Sequence, residues 1–433
     1  MRNILMAVLC ILAPITLSAA ETRNLTLDQA VALAMESNRD IEKAREYALY
    51  VQGKYVEERS AALPQLSLNG SYAVAKDESQ QFFAATIQRQ NSSTIDLTIT
   101  QPLYTWGKVS AAIRAAEVGL KTAHQQLRLY QQAARRDVAT AWYNILLAGE
   151  VNRFARENLE QKQRLFDEAQ KKFAAGVATD YDVLAAQVAL ENAVPEVIRT
   201  DNLIRVTSER LRFLLALPDE VTAVGSLDHD AAVRTIPTDY ESALAIAREK
   251  RPELADLRLR IGISDVLVTI AATDDKPRLD FKGGAGWRWL TLDDPGPRRE
   301  MNGVAWNMGV YLTFPFFDGL KTSGRVTQAR SDLRTKQIEE LKLLDAIALE
   351  VRDAINALRE ADEIRKAISG TVRQAEKLLR MAEKGFEYGV KIRLEVDDAQ
   401  LNLLQANISL ARARRDYLVA RITYDWAMGT LGE

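Results

Sequence analysis

Few side chains in this 433-residue sequence could do covalent or redox chemistry. Its one cysteine, Cys10, sits in an apolar stretch at the start of the chain, and its two histidines, His124 and His229, stand without metal-ligand spacing. There is no Gly-rich phosphate loop, so the residues give no signal for catalysis, for a cofactor or for a metal. What remains is charge. Glu395 and Asp398 are three apart and share one helix face, Lys391 lies just before them, and Thr179 with Asp182 forms the [ST]-x-x-[DE] signal of a capped helix start. Such groups attract cations, pair with one another or cap helices, and the elements that present them decide which.

The overall balance excludes some partners. With 57 basic and 59 acidic side chains the formal net charge is -2, which offers no footprint for nucleic acid or for an anionic membrane surface. Residues 1–20 read as an export signal: Arg2 precedes an apolar run from Ile4 to Leu17 that ends in Ser18, Ala19 and Ala20, with Pro14 and Thr16 interrupting it. A membrane-crossing helix needs about 20 apolar residues, and no other segment carries an apolar run of even 18.

Two copies of one unit fill the rest. At a shift of 213, and with no gap, Pro64, Leu66 and Gly70 meet Pro277, Leu279 and Gly283; Thr100, Pro102 and Lys108 meet Thr313, Pro315 and Lys321; Phe173, Gly176 and Val177 meet Phe386, Gly389 and Val390. The repeats occupy residues 21–217 and 240–433, joined by a linker at 218–239. Each copy reads as helix, strand, strand, very long helix and return helix. Period-2 alternation places the strands at about 65–76 and 93–101 in the first copy and at about 278–290 and 303–314 in the second. Each has one wet face and one oily face, and Tyr72, Trp287, Trp289 and Trp306 fall on the oily side, as lipid-facing aromatic girdles do. Half-buried strands of a soluble sandwich alternate in the same way; the export signal and the aromatic positions favour a transmembrane barrel. Four strands cannot close one, because open sheet edges in hydrocarbon leave unpaired backbone groups, so several chains must pool strands. Pro102 and Pro315 read as strand ends. Beyond them, helix periodicity persists to Gly176 and Gly389, about 68 residues and on the order of 100 Å.

At this point the residues resemble the TolC family of outer-membrane efflux ducts. The resemblance rests on Gln101–Lys108 and Phe314–Lys321 after the hairpins, on Phe173–Val183 and Phe386–Val396 at the helical turns, and on the copy ends Leu211–Leu217 and Tyr424–Thr430. It implies an α plus transmembrane-β fold: a homotrimer with a 12-stranded β-barrel, four strands per chain, continued by a long α-helical coiled-coil barrel of 12 staves. It further implies an outer-membrane location reaching through the periplasm of a Gram-negative bacterium, a periplasmic adaptor and an inner-membrane pump as partners, and outer-membrane lipid around the barrel. Gly176, Val177, Thr179, Gly389 and Val390 would be the tips where the adaptor docks. Glu395 and Asp398 fall where the family places the acidic ring of its closed aperture. Lys391 takes the family's arginine place in the latch between chains, with Asp182 as its acidic partner, and Phe386 replaces a tyrosine. The function implied is a passive exit duct for efflux or type I secretion, with no enzyme activity. A non-conducting coiled-coil tether of the periplasm or cell surface would explain the helices equally well and leave the aromatic strands unexplained.

Overall fold

The computed structural model describes residues 23–76, 89–227, 239–293 and 299–432. The export signal, the centres of both hairpin tips and much of the linker lie outside the described residues. The chain divides into two compact units, each assembled from both repeats: Glu42–Tyr130 with Leu244–Glu350, and the described part of Met1–Ile41 with Gln131–Ala243 and Val351–Glu433.

The first of these units contains a four-stranded antiparallel sheet of β2 (Gln65–Lys76), β3 (Arg89–Tyr104), β5 (Arg278–Asp293) and β6 (Arg299–Thr313), in the order β2-β3-β5-β6. Register, rather than composition alone, makes its faces. Directly paired residues share a face, and the ladder lines up Gly70–Ile95–Trp287–Val304, Leu68–Leu97–Ala285–Trp306 and Leu66–Ile99–Gly283–Met308 across all four strands. The alternate rows are Asn69–Asp96–Gly286–Ala305, Ser67–Thr98–Gly284–Asn307 and Ser71–Thr94–Arg288–Gly303. In these rows one face is aliphatic and aromatic apart from Gly70 and Gly283, and the other carries hydroxyl, amide, charge, glycine and Ala305. On the polar face Ser67 and Ser71 share hydrogen bonds of 2.7 Å with Thr98 and Thr94. Gly286 is required there by space: a Cβ would stand 2.1 Å from Asp96 Oδ1 and 2.4 Å from the Ile95 carbonyl oxygen.

The strands run further than the apolar alternation shows. β3 begins at Arg89 rather than 93, β5 continues to Asp293 rather than 290, and β6 begins at Arg299 rather than 303. Backbone groups pair whatever the side chains, so the ladder extends into polar sequence. Nor does Pro102 end its strand. The register shifts between Pro102 and Tyr104, and this irregularity absorbs the missing N–H. In the same unit Asp274 accepts from Lys108 at 2.6 Å and from Arg325 at 2.5 Å, which ties the starts of the two long helices to the segment that enters β5.

The long helices are α3 (Lys108–Ala174) and α7 (Lys321–Glu387), each of 67 residues; α4 (Asp180–Leu215) and α8 (Arg393–Ala427) return from them. The helix that opens each repeat is broken in two, into α1 (Leu27–Ser37) and α2 (Arg39–Ser60), and into α5 (Tyr240–Lys250) and α6 (Pro252–Ala271). Asn38 makes the first break. Its Oδ1 accepts from Asp40 N at 2.9 Å and its Nδ2 donates to the Leu214 carbonyl at 2.8 Å. The second break falls at Arg251, held extended by Pro252 at the first helical position.

The second unit has an alanine-rich core in which Ala30, Ala34, Val138, Leu211, Leu215 and Val351 are buried. Small side chains allow close helix packing here. A short parallel pair, β1 (Arg23–Leu25) with β4 (Val221–Ala223), lies against it, and Trp142 Nε1 donates to the Leu25 carbonyl at 3.2 Å.

Candidate functional site

The two turns that join α3 to α4 and α7 to α8 lie in one unit and are built by the same local chemistry. Gly176 and Gly389 adopt φ of +74° and +71°. Val177 N donates to the Lys172 carbonyl at 2.9 Å and Val390 N to the Gly385 carbonyl at 2.8 Å, the six-to-one bond of a Schellman stop. A Cβ at either glycine would meet nothing within 4 Å, so backbone conformation and not space requires glycine. Val177 and Val390 are then thrust outward, 74% and 79% exposed.

The next helices start differently. Thr179 Oγ1 accepts from Asp182 N at 3.3 Å while Asp182 Oδ2 accepts from Thr179 N at 2.8 Å, a complete reciprocal cap. Ile392 has no acceptor to offer, and only the return half survives, in which Glu395 Oε2 accepts from Ile392 N at 3.1 Å. The same carboxylate forms an ion pair with Lys391. Lys391, followed by the Ile392 N–H, holds the Glu395 carboxyl below its ordinary range. Asp398 is exposed on the first turns of α8. Within one chain, then, Lys391 meets Glu395, while Asp182 is occupied by Thr179.

A groove of about 520 Å³ runs between these hairpins, floored by Ala169, Ala185, Ala186 and Ala189 and edged by Tyr181 and Phe386. Charges cross it that local sequence did not reveal. Lys162 of α3 lies 3.5 Å from Asp397 of α8, Arg393 reaches the same carboxylate at 3.5 Å, and the Arg393 guanidinium stands 5.8 Å from the centre of the Phe386 ring. The Arg393–Asp397 pair has the i,i+4 spacing that a sequence can show; its partners on α3 are more than 220 residues away.

The aromatic positions of the sheet share its oily face. Tyr72 and Trp306 are each 72% exposed, and Trp287 and Trp289 lie side by side with ring centres 6.0 Å apart. A second aromatic group gathers at the other end of the strands: Phe314, which the alternation already reaches, Tyr104 at the last residue of β3, and Trp106, Phe316 and Phe317 beyond the strands, where a period of two no longer applies; all five are exposed.

The cap at Thr179 has a pH signature. Thr179, through its side chain and then its backbone, lowers the Asp182 pKa. A depressed carboxyl stabilises the fold above its unfolded-state pKa and loses that contribution as pH falls through the folded-state value. Measured against the intrinsic amide rate, which itself falls on acidification, the protection of first-turn amides of α4 is expected to drop as pH falls through and below the usual carboxylate range, and Asp182→Asn should blunt the drop. Equal pH responses in the two proteins would remove this role.

Known proteins resemble the chain along nearly its whole length. The outer membrane efflux protein family matches residues 30–217 and again 243–430, the same displacement of 213 that the internal repeat shows. The outer membrane protein TolC of Vibrio cholerae is 24% identical over 388 residues, 87% of this chain and 84% of the relative. The alkaline protease secretion protein AprF of Pseudomonas aeruginosa is 24% identical over 339 residues, 78% of this chain and 69% of the relative. Among solved structures, the Campylobacter jejuni CmeC outer membrane channel superposes with a TM-score of 0.80 at 18% identity, over 93% of this chain and 85% of that one.

Proposed function

This chain belongs to the outer membrane efflux protein family, and from that premise we propose that three copies close into one continuous duct. The protein is an outer-membrane exit channel for efflux or secretion, extending into the periplasm, and not an enzyme. One observation carries the proposal of assembly: a sheet with an oily face has β2 and β6 as its edges in the single chain. In hydrocarbon those edges must be paired. Eight strands make about the smallest familiar closed barrels; three chains supply twelve, and their four long helices apiece supply twelve staves.

In this assembly the polar rows line the lumen and the aromatic face meets lipid. The helical turns are the inner end. Gly176, Val177, Thr179, Gly389 and Val390 present the surface for a periplasmic adaptor, which links the duct to an inner-membrane pump that provides the energy. Glu395 and Asp398 form the acidic aperture, and Lys391, Asp182 and Phe386 belong to its latch. Lysine attracts a carboxylate without arginine's bidentate fork, and phenylalanine has no hydroxyl to donate, so the latch relies on charges beyond the pair that the resemblance names.

Planar-bilayer recording of the purified protein tests the duct. Discrete, cation-preferring conductance steps are expected. Protein that binds bilayers yet never conducts, under conditions that open an acidic aperture, would favour a structural tether instead.

A further inference from the structure

The charges that cross the groove between the hairpins follow an order. Toward its turn, α3 carries Lys162 and then Glu168; away from its own turn, α8 carries Arg393 and then Asp397. The two segments run antiparallel, which sets Lys162 against Asp397 at 3.5 Å and leaves Arg393 on the Glu168 side. The Glu168 carboxyl is lowered first by Lys172, at 2.7 Å, and additionally by Arg393. Both cross-hairpin pairs are thus of opposite sign in this register, and sliding one helix along the other would bring like charges together. Arg393 also covers the Phe386 ring at 5.8 Å, fixing the last turn of α7 to the first turn of α8. Lys162 is only 18% exposed at its side chain, so water screens this pair less than it does a fully solvated one.

We propose that Lys162, Glu168, Arg393 and Asp397 form a charge zipper within each chain that positions the second helical hairpin against the first, and so sets the resting width of the inner aperture. These are positioning residues: none needs to touch cargo. The link to the aperture rests on the functional reading above; the zipper itself does not. The arrangement supplies an electrostatic hold that acts within one chain, separate from the Lys391 and Glu395 pair at the turn.

The test uses Lys162→Glu, the milder Lys162→Gln, Asp397→Lys and the exchanged pair K162E/D397K, in full-length protein. In the exchanged pair the carboxylate brought to position 162 would have two cations within reach, the ammonium introduced at position 397 and the guanidinium of Arg393. Amide exchange over residues 387–400 should accelerate about two- to fivefold in the single variants, the size set by losing a partly exposed ion pair. It should return close to the parent rate in the exchanged pair, while exchange in β2 to β6 stays unchanged in all four. Exchange at 387–400 that is the same in every variant overturns the zipper, as does an exchanged pair no slower than the singles. Channel recording of the same proteins separates the two ideas: accelerated exchange with unaltered opening would uphold the zipper and reject its link to the aperture.

Discussion

Arginine at Met308 is expected to remove the protein from the outer membrane, whereas arginine at Asn307, one residue earlier, leaves it in place. Both residues lie on β6, an edge of the sheet in the single chain, and both are exposed there, so neither change disturbs a packed core. They differ in face. Met308 belongs to the hydrocarbon row with Leu66, Ile99 and Gly283, and Asn307 to the polar row with Ser67, Thr98 and Gly284. Met308 also sits midway between Asn302, the partner of Trp289, and Phe314, and therefore between the two aromatic groups. Arginine on a lipid face costs about 2–4 kcal/mol at mid-depth, and three copies would raise this to roughly 6–12 kcal/mol, comparable with the whole stability of a domain. Membrane fractionation reads the outcome. Equal amounts of the two variants in the outer-membrane fraction would mean that the sheet does not face lipid in this way.

The second large effect is expected at the aperture, and it should be unequal. Asp398→Ala is expected to remove most of the cation preference, and Glu395→Ala much less, because Lys391 already offsets Glu395. A carboxylate about 4 Å from a cation contributes about 1 kcal/mol even in bulk water. Three copies of Asp398 would then favour a cation by about 3 kcal/mol, roughly two decades of local occupancy. Reversal potentials in a salt gradient measure the preference directly. If neither Asp398→Ala nor Glu395→Ala moves the potential, the ring is assigned to the wrong carboxylates; if Glu395→Ala has the larger effect, Lys391 does not offset Glu395 in the assembled aperture.

How much of this could be read from the sequence depended on the range of the forces involved. The turns were legible because their chemistry is local: a left-handed glycine stops one helix, and Thr179 with Asp182 starts the next within four residues. The strands were legible where lipid imposes a period of two, and not at Arg89–Ser92 or Arg299–Asn302, where backbone pairing continues without apolar alternation. The break at Arg251 has a readable cause in Pro252, whereas the break at Asn38 depends on a carbonyl at Leu214, far along the chain. Resemblance pointed from Lys391 to Asp182 across a chain boundary; within the chain, Lys391 finds Glu395 one helical turn on. The pairing of α3 with α8 was hidden for a related reason. Lys162 and Asp397 are ordinary charges on solvated helix faces until the fold sets the two hairpins side by side.

Assembly is the claim on which the membrane reading depends, and the native mass of the detergent-extracted particle tests it most directly. Subtracting the bound detergent should leave the mass of three polypeptides. A particle of one polypeptide, stable and monodisperse with its oily sheet face still uncovered by a second copy, would contradict the account.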